Sequence, residues 1–301
     1  MFLSIKMRTE SLTTRREQRI GLYFVLPCFL FLLIFMAYPL FRNIYLSFHN
    51  YNPLSSTEVT FAGIENYKWL INDSSFSNAL YITTVYTVAS VIVQGLIGIF
   101  VGVLLFNIST GTRRRRLTSR ILTGIFMIPW AIPNVSAYVS WRMLYQPFFG
   151  PINAILGKEI LWLSSNSLAL LSIIVADVWK CAPFFIIIFL AAMTTIPREQ
   201  FEAANADGAT KWQEFRYIIL PALVPAIIVS CIFRAIDSFT KVFDIAFLLT
   251  GGGPGRATEV LPLLIFKLGL KQFRFGPASA LSVVSILISL FFGIWLLRKN
   301  R

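Results

Sequence analysis

The chain has 301 residues, 56% of them apolar and only 14% charged, and its mean hydropathy of +0.70 lies far above that of a water-soluble domain. The bilayer is therefore its expected solvent. Twenty-seven Lys and Arg stand against 14 Asp and Glu, a balance that fits nucleic acid, a membrane surface or basic cytoplasmic loops, so the positions of the charges must decide. Three cysteines (Cys28, Cys181 and Cys231) without C-x-x-C spacing, together with the lone His49, point to no disulfide framework and no metal chemistry.

The first uncharged run covers the 22 residues between Arg19 and Arg42. At ~1.5 Å per residue it is long enough for a hydrocarbon core of ~30 Å, and it reads as a retained anchor rather than a cleaved signal. A second run extends over the 39 residues Ser74–Thr112, with Gly95, Gly98 and Gly102 offering a smooth helix-packing face. The third, Ile121–Trp141, contains Pro129 and Pro133 and is expected to kink. A fourth covers residues 168–193 and holds Asp177, Lys180 and Pro183; a fifth covers residues 222–249 and holds Arg234, Asp237, Lys241 and Asp244. The sixth is Gly276–Leu297. The expected fold class is all-α, a polytopic membrane protein of six transmembrane helices over residues 20–298, with cytoplasmic tails at 1–19 and 299–301.

Six spans place both termini on one side, and the basic residues choose it. Sixteen of the 27 Lys and Arg fall in the two tails and in the connections after spans two and four, including the run Arg113–Arg116. Those segments are expected in the cytoplasm, within a cell inner membrane. The arginine run fits a topology determinant; anionic lipid is the other membrane reading, and nucleic acid is not needed to explain it.

The fourth connection (194–221) reads Ile196-Pro197-Arg198-Glu199-Gln200-Phe201-Glu202-Ala203-Ala204-Asn205-Ala206-Asp207-Gly208, then Ile218-Ile219-Leu220-Pro221. Pro197 suits a helix start, Glu199 and Glu202 complement the positive end of its dipole, and Gly208 suits its stop. Such a short helix is marginal alone and needs partner contacts. The spacing Glu202-Ala203-Ala204, Gly208, Ile218, Leu220-Pro221 resembles the EAA loop of ABC-importer permeases. Phe243-Asp244, Leu249-Thr250-Gly251-Gly252-Gly253-Pro254, Met127-Ile128-Pro129-Trp130-Ala131-Ile132-Pro133 and Gly150-Pro151-Ile152-Asn153 are similar to the first-permease type of carbohydrate importers, those of maltose, trehalose and glycerol phosphate. The resemblance covers residues 20–298, but lacks any inserted extracytoplasmic domain, so contacts with a binding protein must use short loops.

The resemblance implies a type I ABC importer permease fold and the transport of a sugar or related polyhydroxylated solute. It implies three kinds of partner beside membrane lipid: a homologous second permease, two ATPase subunits and an extracytoplasmic solute-binding protein. It makes Phe201, Glu202, Ala203, Ala204, Asp207 and Gly208 the ATPase-coupling residues. No G-x-x-x-x-G-K-[ST] occurs, so ATP and Mg belong to the partner ATPase, and the chain itself has no cofactor and no catalytic role. Gly251–Gly255 reads as a tight extracytoplasmic turn.

The expected solute path combines Trp130, Asn134, Asp177, Lys180, Asp237, Phe239 and Asp244. Intramembrane charges cost on the order of 2.5–3.5 kcal/mol each on the insertion scale, so they must face protein or water. Asp177 with Lys180, Arg234 with Asp237, and Lys241 with Asp244 stand three apart, and internal ion pairs account for all six as well as ligand contacts do. An ion- or proton-coupled transporter using Asp177, Asp237 and Asp244 is the alternative, and a membrane enzyme is disfavoured by the absence of any acid–base constellation.

Overall fold

A computed structural model describes residues 15–299; the remainder of the expected tails, residues 1–14, 300 and 301, lies outside the described residues. The first apolar run forms α1 (Arg15–Leu32), a π-helical turn at Leu33–Ala37 and α2 (Tyr38–Ser47). Within the membrane-length stretch Tyr23–Ser47 the most apolar 18 residues bury none of themselves inside the chain, although Ser47 at its end is buried. A hairpin follows, β1 (His49–Asn52) and β2 (Ser56–Phe61), with His49 opposite Phe61 and Asn52 opposite Ser56. These strands are a departure from the all-α expectation. The polar segment is fixed by Asn66 of α3 (Glu65–Asn72), whose amide donates to the carbonyls of Ser47 and His49.

The second run is one helix, α4 (Ser74–Ser109), started by the Asp73 carboxylate accepting from the Ser75 N–H at 2.6 Å. Only residues 110–112 separate it from α5 (Arg113–Ala131). Arg113–Arg116, expected in a loop, therefore form the first turn of a helix, because nothing in an uninterrupted run of good helix formers delays its start. The third run breaks rather than kinks: α5 and α6 (Asn134–Leu144) meet at 92°. Pro133 has no N–H to continue the ladder, and it holds Ile132 in an extended conformation.

Beyond α7 (Pro151–Leu156), the fourth run is α8 (Ala169–Thr194). The fourth connection then forms α9 (Arg198–Ala206) and α10 (Lys211–Glu214). A π-helical turn at Phe215–Ile219 leads from α10 into α11 (Leu220–Lys241), and α12 (Phe243–Leu249), α13 (Leu261–Phe266) and α14 (Phe275–Lys299) complete the chain. Among the described residues four helices are long and apolar enough to cross a bilayer: Tyr23–Ser47, Ser74–Ser109, Ala169–Thr194 and Lys211–Lys241. The bent α5–α6 pair makes a fifth if it is one span, and the apolar stretch Phe275–Phe291 of α14 is shorter.

The core is built on α4 against α8. Gly98 makes this possible: a Cβ there would stand 2.4 Å from the Phe185 Cβ, while Gly95 and Gly102 face Phe185, Phe189 and Met193. The expected glycine face thus lets α4 and α8 approach closely. α11 closes on both helices, with Leu223 in one cluster with Val91 and Phe106 of α4 and Phe185 and Phe189 of α8, and α12 packs beside α6.

Candidate functional site

Three carboxylates and three cations gather where α4, α8, α11 and the α5–α6 break converge. At the centre Arg234 Nη2 donates to both oxygens of Asp177, at 2.9 and 2.8 Å; its Nη1 donates to Asp237 Oδ2 at 2.8 Å and its Nε to Gln94 Oε1 at 3.0 Å. Gln94 Nε2 returns a bond to Asp177 Oδ2 at 2.9 Å, which closes the ring across three helices. Asp177, Arg234 and Gln94 are all buried. Burying such charges is tolerable only because nearly every lone pair and N–H has a charged or amide partner. Towards the outside of the ring, Lys241 Nζ reaches Asp237 Oδ1 at 2.7 Å.

Of the three pairs expected from spacing, Arg234 with Asp237 forms and the other two do not. Asp177 turns to Arg234 on another helix rather than to Lys180. Lys241 prefers Asp237, one full turn back at i,i+4, and leaves Asp244 to accept from the Asn134 amide at 3.0 Å. Lys180 donates instead to the carbonyls of Ile132 and Pro129, at 2.5 and 3.2 Å. The physical reason is the broken helix. Pro133 cannot supply the N–H that the Pro129 carbonyl would otherwise accept, and Ile132 lies outside both helices, so a buried ammonium from α8 satisfies the two orphans and the negative end of the α5 dipole.

Asp177, Lys180, Arg234, Asp237 and Lys241 line a cleft of about 210 Å³ together with Tyr86, Trp130, Asn134, Tyr138, Ser238 and Ile245. Trp130, on the last turn of α5, is 54% exposed, and Asn134 opens α6 one turn later. The Ser238 hydroxyl is buried without a hydrogen-bond partner among the described residues. Two sequence-predicted site residues are not part of the cleft lining: Phe239 packs with Leu70, Ala79, Leu261 and Leu281, and Asp244 stands behind Asn134, whose amide it accepts from. Ser238, the neighbour of Phe239, points to the cleft instead, since adjacent helical residues face directions about 100° apart. Gln94, Tyr86 and Tyr138 escaped sequence reasoning. Gln94 alone had a usable signal, a primary amide in the middle of an uncharged apolar run.

A second constellation lies at the C-terminal ends of α4 and α8. α9 closes with Ala209 N–H donating to Ala204 C=O at 2.9 Å and Gly208 N–H to Asn205 C=O at 3.1 Å, with Gly208 at φ +75°. This is the Schellman stop expected of Gly208, a conformation that disfavours any Cβ. Pro197 sits at the cap position, one residue before the helix proper. Glu202, Ala203, Asn205, Ala206, Asp207 and Gly208 are exposed and Ala204 is half-buried. Phe201 turns inward, its ring 5.8 Å from Phe106, and joins the core of Phe185, Phe189, Met193 and Ile219. It is the anchor of the helix. No side chain of α9 is fully buried, so an exposed small-residue surface is held on the end of the α4–α8 pair.

A broken helix bundle with a charged interior and a surface helix between spans defines an integral membrane transport subunit. The chain belongs to the family of binding-protein-dependent transport system inner membrane components, whose model matches residues 94–298. It is 33% identical over 291 residues to the trehalose/maltose transport system permease protein MalF of Thermococcus litoralis, covering 95% of each chain. It is 31% identical to the sulfoquinovosyl glycerol transport system permease protein SmoG of Agrobacterium fabrum, over 91% of this chain and 88% of that one. Its fold is that of a permease chain in the crystal structure of a bacterial ABC transporter that imports alginate, with TM-score 0.80 and 23% identity over 95% of this chain and 96% of that chain. The chain is thus an inner-membrane permease subunit of an ABC importer that works with a binding protein, not an enzyme, and ATP hydrolysis belongs to a separate subunit. The ion-coupled alternative for Asp177, Asp237 and Asp244 falls with this membership.

Proposed function

We propose that this permease imports a sugar or related polyhydroxylated solute and that the cleft at the α5–α6 break is its part of the path. The observation that carries the reading is the lining: the exposed Trp130 ring beside the Asn134 amide, opposite Asp237, Lys241 and the unpartnered Ser238 hydroxyl. An aromatic face with surrounding donors and acceptors suits a ring of hydroxyl groups. Relatives named for trehalose, maltose and sulfoquinovosyl glycerol support the solute class. A volume of about 210 Å³ falls below the roughly 300 Å³ at which small-molecule sites begin, so this wall needs a second one. The homologous second permease supplies it.

In this reading the chain crosses the membrane six times, with the α5–α6 pair and α14 as the third and sixth spans and both termini in the cytoplasm. The exposed face of α9 docks into one of two ATPase subunits, which hold ATP and Mg, while an extracytoplasmic binding protein delivers the solute to the opposite face. Asp177, Lys180 and Asp244 serve the path indirectly, by fixing Arg234, the helix break and Asn134.

The test replaces Trp130, Asn134 and Asp237 singly by Ala in the assembled transporter reconstituted with its binding protein. Uptake should fall and the preference across a panel of sugars should change, with assembly retained. Wild-type uptake and preference in all three variants would refute the path.

A further inference from the structure

The helix that opens with Arg113–Arg116 presents an electrostatic problem that a topology signal does not solve. Four guanidinium groups stand on the first turn of α5, where unsatisfied N–H groups already give the helix its positive end. Among the described residues none of the four, nor Arg120, has an acidic partner, and all five are exposed. Such a terminus calls for anions from outside the chain.

Directly beside it runs an apolar trough of about 980 Å³ between α4 and the α10–α11 segment. Ile99, Phe100, Val103 and Leu104 form one wall and Trp212 with Phe215 the other, while Arg115 and Lys211 close the end nearest the arginine run. Lys211 Nζ already binds both oxygens of the buried Glu214, at 2.6 and 2.8 Å, which leaves Arg115 as the uncommitted cation of the trough. Trp212 and Tyr217 are 68% and 73% exposed at this level, as aromatic side chains are where hydrocarbon meets headgroups. Hydrocarbon walls with a cationic end match one amphiphile: an anionic phospholipid, its acyl chain along Phe100 and Leu104 and its phosphate at Arg115.

We propose that this trough is a binding site for an anionic phospholipid, with Arg115 as the phosphate ligand and the rest of the arginine run holding further headgroups. The inference rests on the orientation proposed above only for the leaflet, not for the ligand. A fully apolar surface would accept any lipid or a neighbouring helix; the cationic end selects charge.

The experiment uses the whole transporter in nanodiscs of phosphatidylcholine mixed with either phosphatidylglycerol or phosphatidylethanolamine. Bound lipid is counted by native mass spectrometry, and Trp212 fluorescence, identified by difference from a Trp212→Phe variant, is quenched with brominated lipids of each headgroup. Retention of phosphatidylglycerol over phosphatidylethanolamine and stronger quenching by its brominated form are expected. Arg115→Gln, which breaks no internal bond, should cut the retention about fivefold, the equivalent of about 1 kcal/mol per basic residue near an anionic surface. Equal retention of both headgroups, or no change in Arg115→Gln, would overturn the proposal. So would efficient cross-linking of a cysteine placed at Phe100 to the second permease, since the trough would then be a protein interface. Loss of sugar transport in Trp130→Ala leaves these readouts untouched, which separates this site from the solute path.

Discussion

The middle and the C-terminal end of the α4–α8 pair carry opposite designs. In the middle Arg234, Asp177 and Gln94 are buried and bonded to one another and to Asp237; at the end, α9 exposes Glu202, Ala203 and Gly208 and is held mainly by Phe201. The buried ring contributes to the chain's own integrity, so its residues are unavailable to most ligands. The exposed helix contributes little to that integrity and is free to serve a partner. The proposed solute path therefore runs along the edge of the strongest network, over Trp130, Asn134, Ser238 and Asp237, the last of which still pairs with Arg234 and Lys241.

The sharpest break of this comparison is Arg234→Leu, which strands the Asp177 carboxylate. A loss of about 3–5 kcal/mol is expected, read as a fall in the thermal unfolding midpoint of the assembled transporter, with recovery when Asp177→Leu is added. No recovery in the double variant would show that the ring is not a closed unit. Next in size is Lys180→Met, which removes the donor to the Pro129 and Ile132 carbonyls and should cost about 1.5–3 kcal/mol, since bonds from a charged group are lost. Lys180→Arg should retain most of the stability, and only Lys180→Met should raise the accessibility to thiol reagents of a cysteine placed at Trp130.

Smaller effects on stability are expected at α9, with larger ones on transport. Gly208→Trp carries a left-handed backbone penalty of about 1–2 kcal/mol confined to the helix end. Its uptake should nonetheless collapse, with weaker association of the ATPase in pull-down from solubilised membranes. Glu202→Lys should leave the unfolding midpoint unchanged within about 0.5 kcal/mol, as for other exposed sites, yet uncouple ATP hydrolysis from uptake. Full uptake in the Gly208→Trp, Glu202→Lys double variant would end the coupling assignment.

Much of this was legible in advance because it depends on short-range order. Run lengths locate the long helices, the Pro133 ring requires a break, Gly95, Gly98 and Gly102 share one helical face, and Gly208 requires a stop. Hairpin β1–β2 was not legible, because its polar segment is held by Asn66 from outside the strands rather than by any alternation of its own. The arginine run misled for a related reason: charge marks the side of a membrane, not where a helix begins.

Partner choice among the charges was beyond the sequence. Local spacing made Asp177–Lys180 and Lys241–Asp244 as plausible as Arg234–Asp237, since each pair stands one helical turn apart. Only the convergence of α4, α8 and α11 gave Asp177 a guanidinium nitrogen shared by both its oxygens, and only the open carbonyls at the α5–α6 break drew Lys180 away. The same packing rotated Phe239 into the core and Ser238 into the cleft. By itself the sequence determined the membrane, the family of motifs and the surface helix α9, because hydropathy, proline, glycine and spacing act within a few residues. The tertiary structure decided which charges meet, because inside a bilayer an unpaired charge takes the best-matched partner within reach, and reach is set by which helices touch.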